Sequence, residues 1–209
     1  YFMENSQWFL SRKVTKNGMV SFAAKGGHNG EPHNHNDVGS FILFAYGEIL
    51  IADVGSGEYT AGYFGAERYS YFCNGSQGHS VPVVEGCFQA EGAGHGAGSV
   101  ECRTGGDRDE LEMEISGAYG LKNLKSLVRK FTFDKTGNTG LVLRDAYCFE
   151  KQPRSITERF ISFFEPKLEK SGLVSITGGS GRIGLRFCPD EMDCAIRRET
   201  FKGHDAAEK

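Results

Sequence analysis

His33 and His35 stand two residues apart in a run crowded with groups that bind ligands. Gly27–Asp37 holds three histidines, three asparagines and two acids, and the apolar stretch 40–45 follows at once. A loop held in solution for its own sake draws more on Lys, Glu and Ser, so this density of imidazole and carboxamide points to a ligand or metal site. If the backbone is extended, side chains at i and i+2 share a face, and both imidazoles are predicted to serve one pocket. The competing reading is a loop whose histidines cap turns or face solvent.

Two further residues extend the constellation. Asp53 closes an apolar run and His79 closes a long loop; with His35 they make two imidazoles and a carboxylate. That donor set suits zinc, with water or substrate in a fourth position. The alternative is an Asp53 that caps its own loop beside two unrelated histidines. Residues 55–79 also carry four tyrosines, Tyr59, Tyr63, Tyr69 and Tyr71. A phenol near cations can pass a proton, and Tyr63 and Tyr59 lie nearest Asp53 in sequence. Asn34 and Asn36 suit a ligand carboxylate or sugar hydroxyls, though turn formers need no ligand. Glu31 and Asp37 are the acids available should the site be that of a metal-dependent hydrolase.

The elements that must position these groups read as strands. Residues 6–13 and 19–24, joined by Lys16-Asn17-Gly18, form an expected hairpin. Residues 40–46 and 49–53 are expected to pair across Tyr46-Gly47-Glu48, and 81–84 with 87–91 across Glu85-Gly86. Gly92–Gly98 reads as flexible, without the context of a phosphate loop. Expected strands follow at 99–103, 110–116, 125–133, 140–149, 156–164, 173–177, 182–187 and 193–198. Alternation is clear in Leu111-Glu112-Met113-Glu114-Ile115 and from Leu127 to Phe133, as in half-buried antiparallel sheet. The fold class is therefore all-β, a large antiparallel β-sandwich over 1–201, with 202–209 expected as a disordered tail. A connection as long as 55–79 within such a domain is more often functional than filler.

Composition narrows the partners. The formal net charge is −3 with both signs interspersed, so neither nucleic acid nor an anionic membrane is an expected partner. No apolar run is long enough to span a bilayer as a helix. Tyr1-Phe2-Met3 opens mid-pattern, which suggests an excised piece of a longer protein. The six cysteines include no C-x-x-C pair, and most have apolar neighbours, as reduced core cysteines do. Reduced thiols point toward a cytoplasmic setting; disulfides, with a periplasmic or secreted one, stay open.

Three blocks together resemble the heparinase II/III-like family of polysaccharide lyases. They are Pro32-His33-Asn34-His35-Asn36-Asp37-Val38-Gly39-Ser40-Phe41, then Ile51-Ala52-Asp53-Val54-Gly55 with Tyr59, then Arg68-x-x-Tyr71-Phe72 leading to Gly78-His79-Ser80-Val81-Pro82. The resemblance implies an N-terminal α/α toroid, missing from this chain, followed by the β-sandwich, with an acidic polysaccharide such as a glycosaminoglycan or alginate between them. It implies β-elimination next to a uronic acid. It further implies that His33 faces substrate, that His35, Asp53 and His79 bind a zinc ion of structural role, and that a loop tyrosine, Tyr63 before Tyr59, serves catalysis. The family's remaining catalytic groups belong to the helical half, so the fragment alone is expected to be inactive. A non-catalytic carbohydrate-binding sandwich is the competing class; it would favour exposed aromatic platforms, and the only tryptophan is Trp8.

Overall fold

The computed structural model describes residues 1–137, 139–170 and 172–204. β1 (Phe2–Met3), β2 (Trp8–Thr15) and β3 (Gly18–Lys25) open the chain; β4 (His28–Asn29) precedes the histidine run, and β5 (Phe41–Ala45) and β6 (Glu48–Ile51) follow it. After the long loop come β7 (Val83–Val84), β8 (Gly92–Gly96), β9 (Val100–Thr104), β10 (Arg108–Glu114), β11 (Leu124–Asp134) and β12 (Gly140–Phe149). β13 (Ile156–Thr157), β14 (Pro166–Leu168), β15 (Leu173–Thr177) and β16 (Arg182–Arg186) complete the strands.

Two antiparallel sheets supply the core, one ordered β1-β2-β3-β5-β6 and the other β12-β11-β10-β9. Alternation explains both: Val20, Phe22 and Ala24 of β3 are buried, as are Leu127, Phe131 and Phe133 of β11. The sheets meet where the Phe22 and Phe41 rings lie 4.9 and 5.2 Å from that of Phe131. The chain is thus an all-β sandwich. A small sheet, β14-β15-β16, docks through Glu48, whose carboxylate accepts the backbone N–H groups of Gly179, Ser180 and Gly181 at 2.7–2.9 Å. The Ser180 N–H, with those of Gly181 and Gly179, holds that carboxyl below its usual range.

Several expectations are corrected. Gly92–Gly96 is not a free glycine linker but strand β8, paired with β4. Of 156–164 only Ile156–Thr157 is strand, paired with β7, and 193–198 forms none. Only Cys73 among the six cysteines is buried, while Cys87, Cys148 and Cys188 are exposed. Lys202–His204, assigned to the tail, returns to the long loop: Gly203 bridges Gly57, and the His204 ring lies 4.1 Å from that of Tyr59. Residues 205–209 fall outside the described residues.

Candidate metal centre

The long loop is built on short 3-10 turns at Gly62–Phe64, Arg68–Ser70 and Ser76–Gly78. It is stitched to the histidine run along most of its second half. Arg68 Nη2 donates to the Asn34 carbonyl at 2.6 Å, and the Tyr69 hydroxyl donates to Asn34 Oδ1 at 2.9 Å. The Asn36 N–H donates to the Asn74 carbonyl, and Ser76 Oγ donates to that of Asn36. Both neighbours of His35 are therefore tied to the loop that ends at His79.

These ties bring the three expected ligands together. One donor atom from each of His35, Asp53 and His79 lies within 4.8 Å of the other two. Asp53 stands just past β6, where Ala52 N–H bonds the Ile161 carbonyl. His79 is buried behind it, its Nδ1 3.0 Å from Asp53 Oδ2 and its Nε2 3.0 Å from the Cys73 carbonyl.

The hydrogen bonds define the charge problem at this point. A carbonyl only accepts, so Nε2 of His79 carries a proton. Nδ1 then turns a lone pair toward a carboxylate oxygen unless a second proton or a cation lies between them. Burial opposes a charged His79, yet the Asp53 hydrogen bond and the charges of Asp37 and Asp53 hold its pKa above the ordinary value. Burial likewise works to raise the Asp53 carboxyl, but the His79 hydrogen bond and charge bring it down to about 2. Burial and the neighbouring His79 push His35 down to about 4, so its ring is neutral. A neutral imidazole, a carboxylate and a second imidazole whose other nitrogen donates to a main-chain carbonyl form the donor set and outer support of a metal site. His35, Asp53 and His79 could together hold a metal ion.

The remaining site residues are placed unevenly. His33 is exposed in a turn closed by Asn34 N–H to the Glu31 carbonyl, with φ of 56°. Pro at the second position and positive φ at the third mark a type II turn, so the extended backbone that would align His33 with His35 is not formed. Asn34 and Asn36 are buried, their amide N–H groups given to the carbonyls of His35 and Gln89. They brace the run instead of lining a surface.

Tyr63, the preferred tyrosine, packs with Val54 and Cys73, and burial pushes its phenol above the ordinary value. Tyr59 is 51% exposed and stacks on Tyr63 at 5.0 Å. Glu31 and Asp37 both pair with the buried Lys25, at 3.4 and 2.7 Å. Sequence reasoning weighed Tyr69 only as one of four loop tyrosines and gave Arg68 no role of its own, although Arg68 opens the third of the blocks that carry the family resemblance.

The family model described as heparinase II/III-like, C-terminal, matches residues 2–183. The chain belongs to that family. No curated protein sequence matches it. Among solved structures, a heparinase III gene product superimposes with a TM-score of 0.73 at 18% identity, covering 97% of this chain and 31% of its own. A second heparinase III structure gives 0.64 at 18% identity, with the same two coverages of 97% and 31%. A heparan sulfate lyase HepC mutant from Pedobacter heparinus gives 0.64 at 19%, covering 83% and 26%. This heparinase II/III-like domain thus spans less than a third of the length of those proteins.

Proposed function

We propose that this domain is the sandwich half of a polysaccharide lyase that cleaves uronic-acid-containing acidic glycans by β-elimination, its partner half being an N-terminal helical domain. The observation that carries this reading is the exposed His33, two residues before His35 of the His35, Asp53 and His79 cluster, in a heparinase II/III-like chain whose relatives by fold are heparinases and a heparan sulfate lyase. In the reaction the C5 proton passes to a base, its electron pair forms the C4–C5 double bond, and the C4–O bond breaks as the leaving oxygen takes a proton. Charge builds on the uronate carboxylate on the way, so donors aimed there stabilise the transition state.

His33 is assigned the substrate-facing proton-transfer role. Tyr59 has the exposure for a second such group, which Tyr63 lacks. Asn34 and Asn36 support His33 through the loop they tie down. A bound zinc ion would lock the histidine run to the long loop and leave the proton transfers to side chains. The helical half supplies the rest of the cleft, and the isolated sandwich is expected to be inactive.

The test uses the full-length protein and uronate-containing polymers. Unsaturated products absorbing in the ultraviolet should appear, and His33→Ala should abolish them, a loss of at least about 100-fold for a removed acid or base. Full turnover in that variant would strip His33 of its role. Binding of the polymers without any unsaturated product would favour a carbohydrate-binding module over a lyase.

A further inference from the structure

Along β11 the buried row reads Leu127, Arg129, Phe131, Phe133, and Arg129 is 0% exposed. A guanidinium in a hydrophobic core is costly unless its N–H groups and charge are all answered. Here they are. Nε donates to both Asp145 oxygens at 2.9 and 3.2 Å, and Nη2 donates to Asp145 Oδ2 at 2.5 Å and Glu158 Oε2 at 2.9 Å. Asp145 is the residue directly across from Arg129 on β12.

The last nitrogen leaves the ion network. Nη1 donates to the main-chain carbonyls of Gly39 and Ser80, each at 3.0 Å. Gly39 lies four residues after His35, and Ser80 directly follows His79. One buried side chain therefore joins the backbones that carry two of the ligands.

The segment that Glu158 opens does the same for the third. Arg159 Nη2 donates to the Gln77 carbonyl at 2.6 Å, Ile161 N–H donates to Ser80 Oγ at 3.0 Å, and the Ile161 carbonyl accepts Ala52 N–H at 2.9 Å. Ala52 precedes Asp53. Backbone within four residues of each ligand is thus held by Arg129 or by the strap that its partner Glu158 begins. Stability alone does not explain the arrangement, because hydrophobic residues in place of a buried ion network are often neutral or stabilising.

We propose that Arg129 is a positioning residue for the metal centre: with Asp145 and Glu158 it fixes the backbone from which His35, Asp53 and His79 project. The proposal rests on the zinc reading above.

The experiment measures zinc affinity of the full-length protein by competition with a chromophoric chelator, alongside hydrogen exchange of the metal-free protein. Arg129→Lys keeps the charge and loses the fork. It should bind zinc about 10–100-fold more weakly, the usual cost of removing an outer support, and exchange faster at His79, Val81 and Ser40. Asp109→Asn breaks a different buried ion pair, with Lys135, that shares no partner with the three ligands. Its melting temperature should fall while zinc affinity stays at the wild-type level. Equal affinity in Arg129→Lys and wild type, or an equal loss in Asp109→Asn, overturns the proposal. If Arg129→Lys does not fold, Glu158→Gln serves; it should weaken zinc in the same direction, and wild-type affinity there overturns the proposal as well. A wild type without zinc affinity defeats the metal reading itself, an outcome distinct from a failure confined to the variants.

Discussion

His79 makes the case for an ion at the level of single atoms. Its Nε2 is spoken for by the Cys73 carbonyl, and its Nδ1 faces Asp53 Oδ2 at 3.0 Å. A cation placed there replaces the second proton. The full-length protein should hold close to one equivalent of zinc, and Asp53→Ala should remove it, as read by elemental analysis after dialysis. Free zinc at 100 times its dissociation constant stabilises the fold by about 2.7 kcal/mol; chelation should lower the wild-type melting temperature and leave that of Asp53→Ala unmoved. Carefully prepared wild type free of metal, or an equal response in both proteins, would refute this. The cluster was suggested by the sequence because two imidazoles and a carboxylate at the ends of strands and of a long loop make a donor set for a metal. The His33 side was less so. Pro32 sets up a turn whose third residue takes positive φ, and the i, i+2 rule holds only for extended backbone. Nothing in the spacing of four tyrosines tells that Tyr63 is the one that joins Val54 and Cys73 in the loop's own small core.

Strand β8 shows how composition misleads about an element. Gly92–Gly96 looks like a linker because glycine is read as freedom. Here it permits close approach: a Cβ on Gly96 would lie 2.7 Å from the Gly27 carbonyl oxygen, and one on Gly30 would lie 2.4 Å from the Ala93 nitrogen. The β4–β8 pair leads directly into the histidine turn, and Asn29 at its end is buried with its amide on Gln89 Oε1 and the Ala90 carbonyl. Gly30→Ala should therefore force the two backbones apart at a cost of about 1–3 kcal/mol, the range for overpacking. Urea denaturation would measure it, and a change near zero would mean that the pair is not tightly closed. The 156–164 segment is the opposite error. Its aromatic residues read as strand, but after Thr157 its polar groups are spent on Arg129, Gln77, Ser80 and Ala52. Those partners are distant in sequence, and alternation reports only which face a residue occupies.

Alternation was enough to give an all-β sandwich, because a period of two shows that each strand is half-buried whatever it pairs with. It could not say which sheets face each other, nor why Arg129 shares a parity with Leu127, Phe131 and Phe133. That parity is visible in the sequence as a charge in an apolar row, a sign of a buried network. A second network crosses between the sheets: Asp109 of β10 accepts from Ser11 of β2, from Lys135 and from Gly105 N–H. Burial works to raise the Asp109 carboxyl, but Lys135 first, then Ser11 and Gly105, hold it below the usual range. A carboxyl whose folded pKa is depressed binds its proton more readily in the unfolded chain. Its contribution is therefore complete above the unfolded value, about 3.9, and disappears as pH falls through the lower folded one. Asp109→Asn should be less stable than wild type by about 1–3 kcal/mol at pH 7, the range for a buried hydrogen-bonding group deprived of its partner. The gap should persist down to roughly pH 5 and narrow below about pH 4, where the unfolded wild-type chain takes up the proton first. Urea midpoints for the two proteins across that range decide the matter; a gap independent of pH would mean that the Asp109 charge plays no part in holding the sheets together.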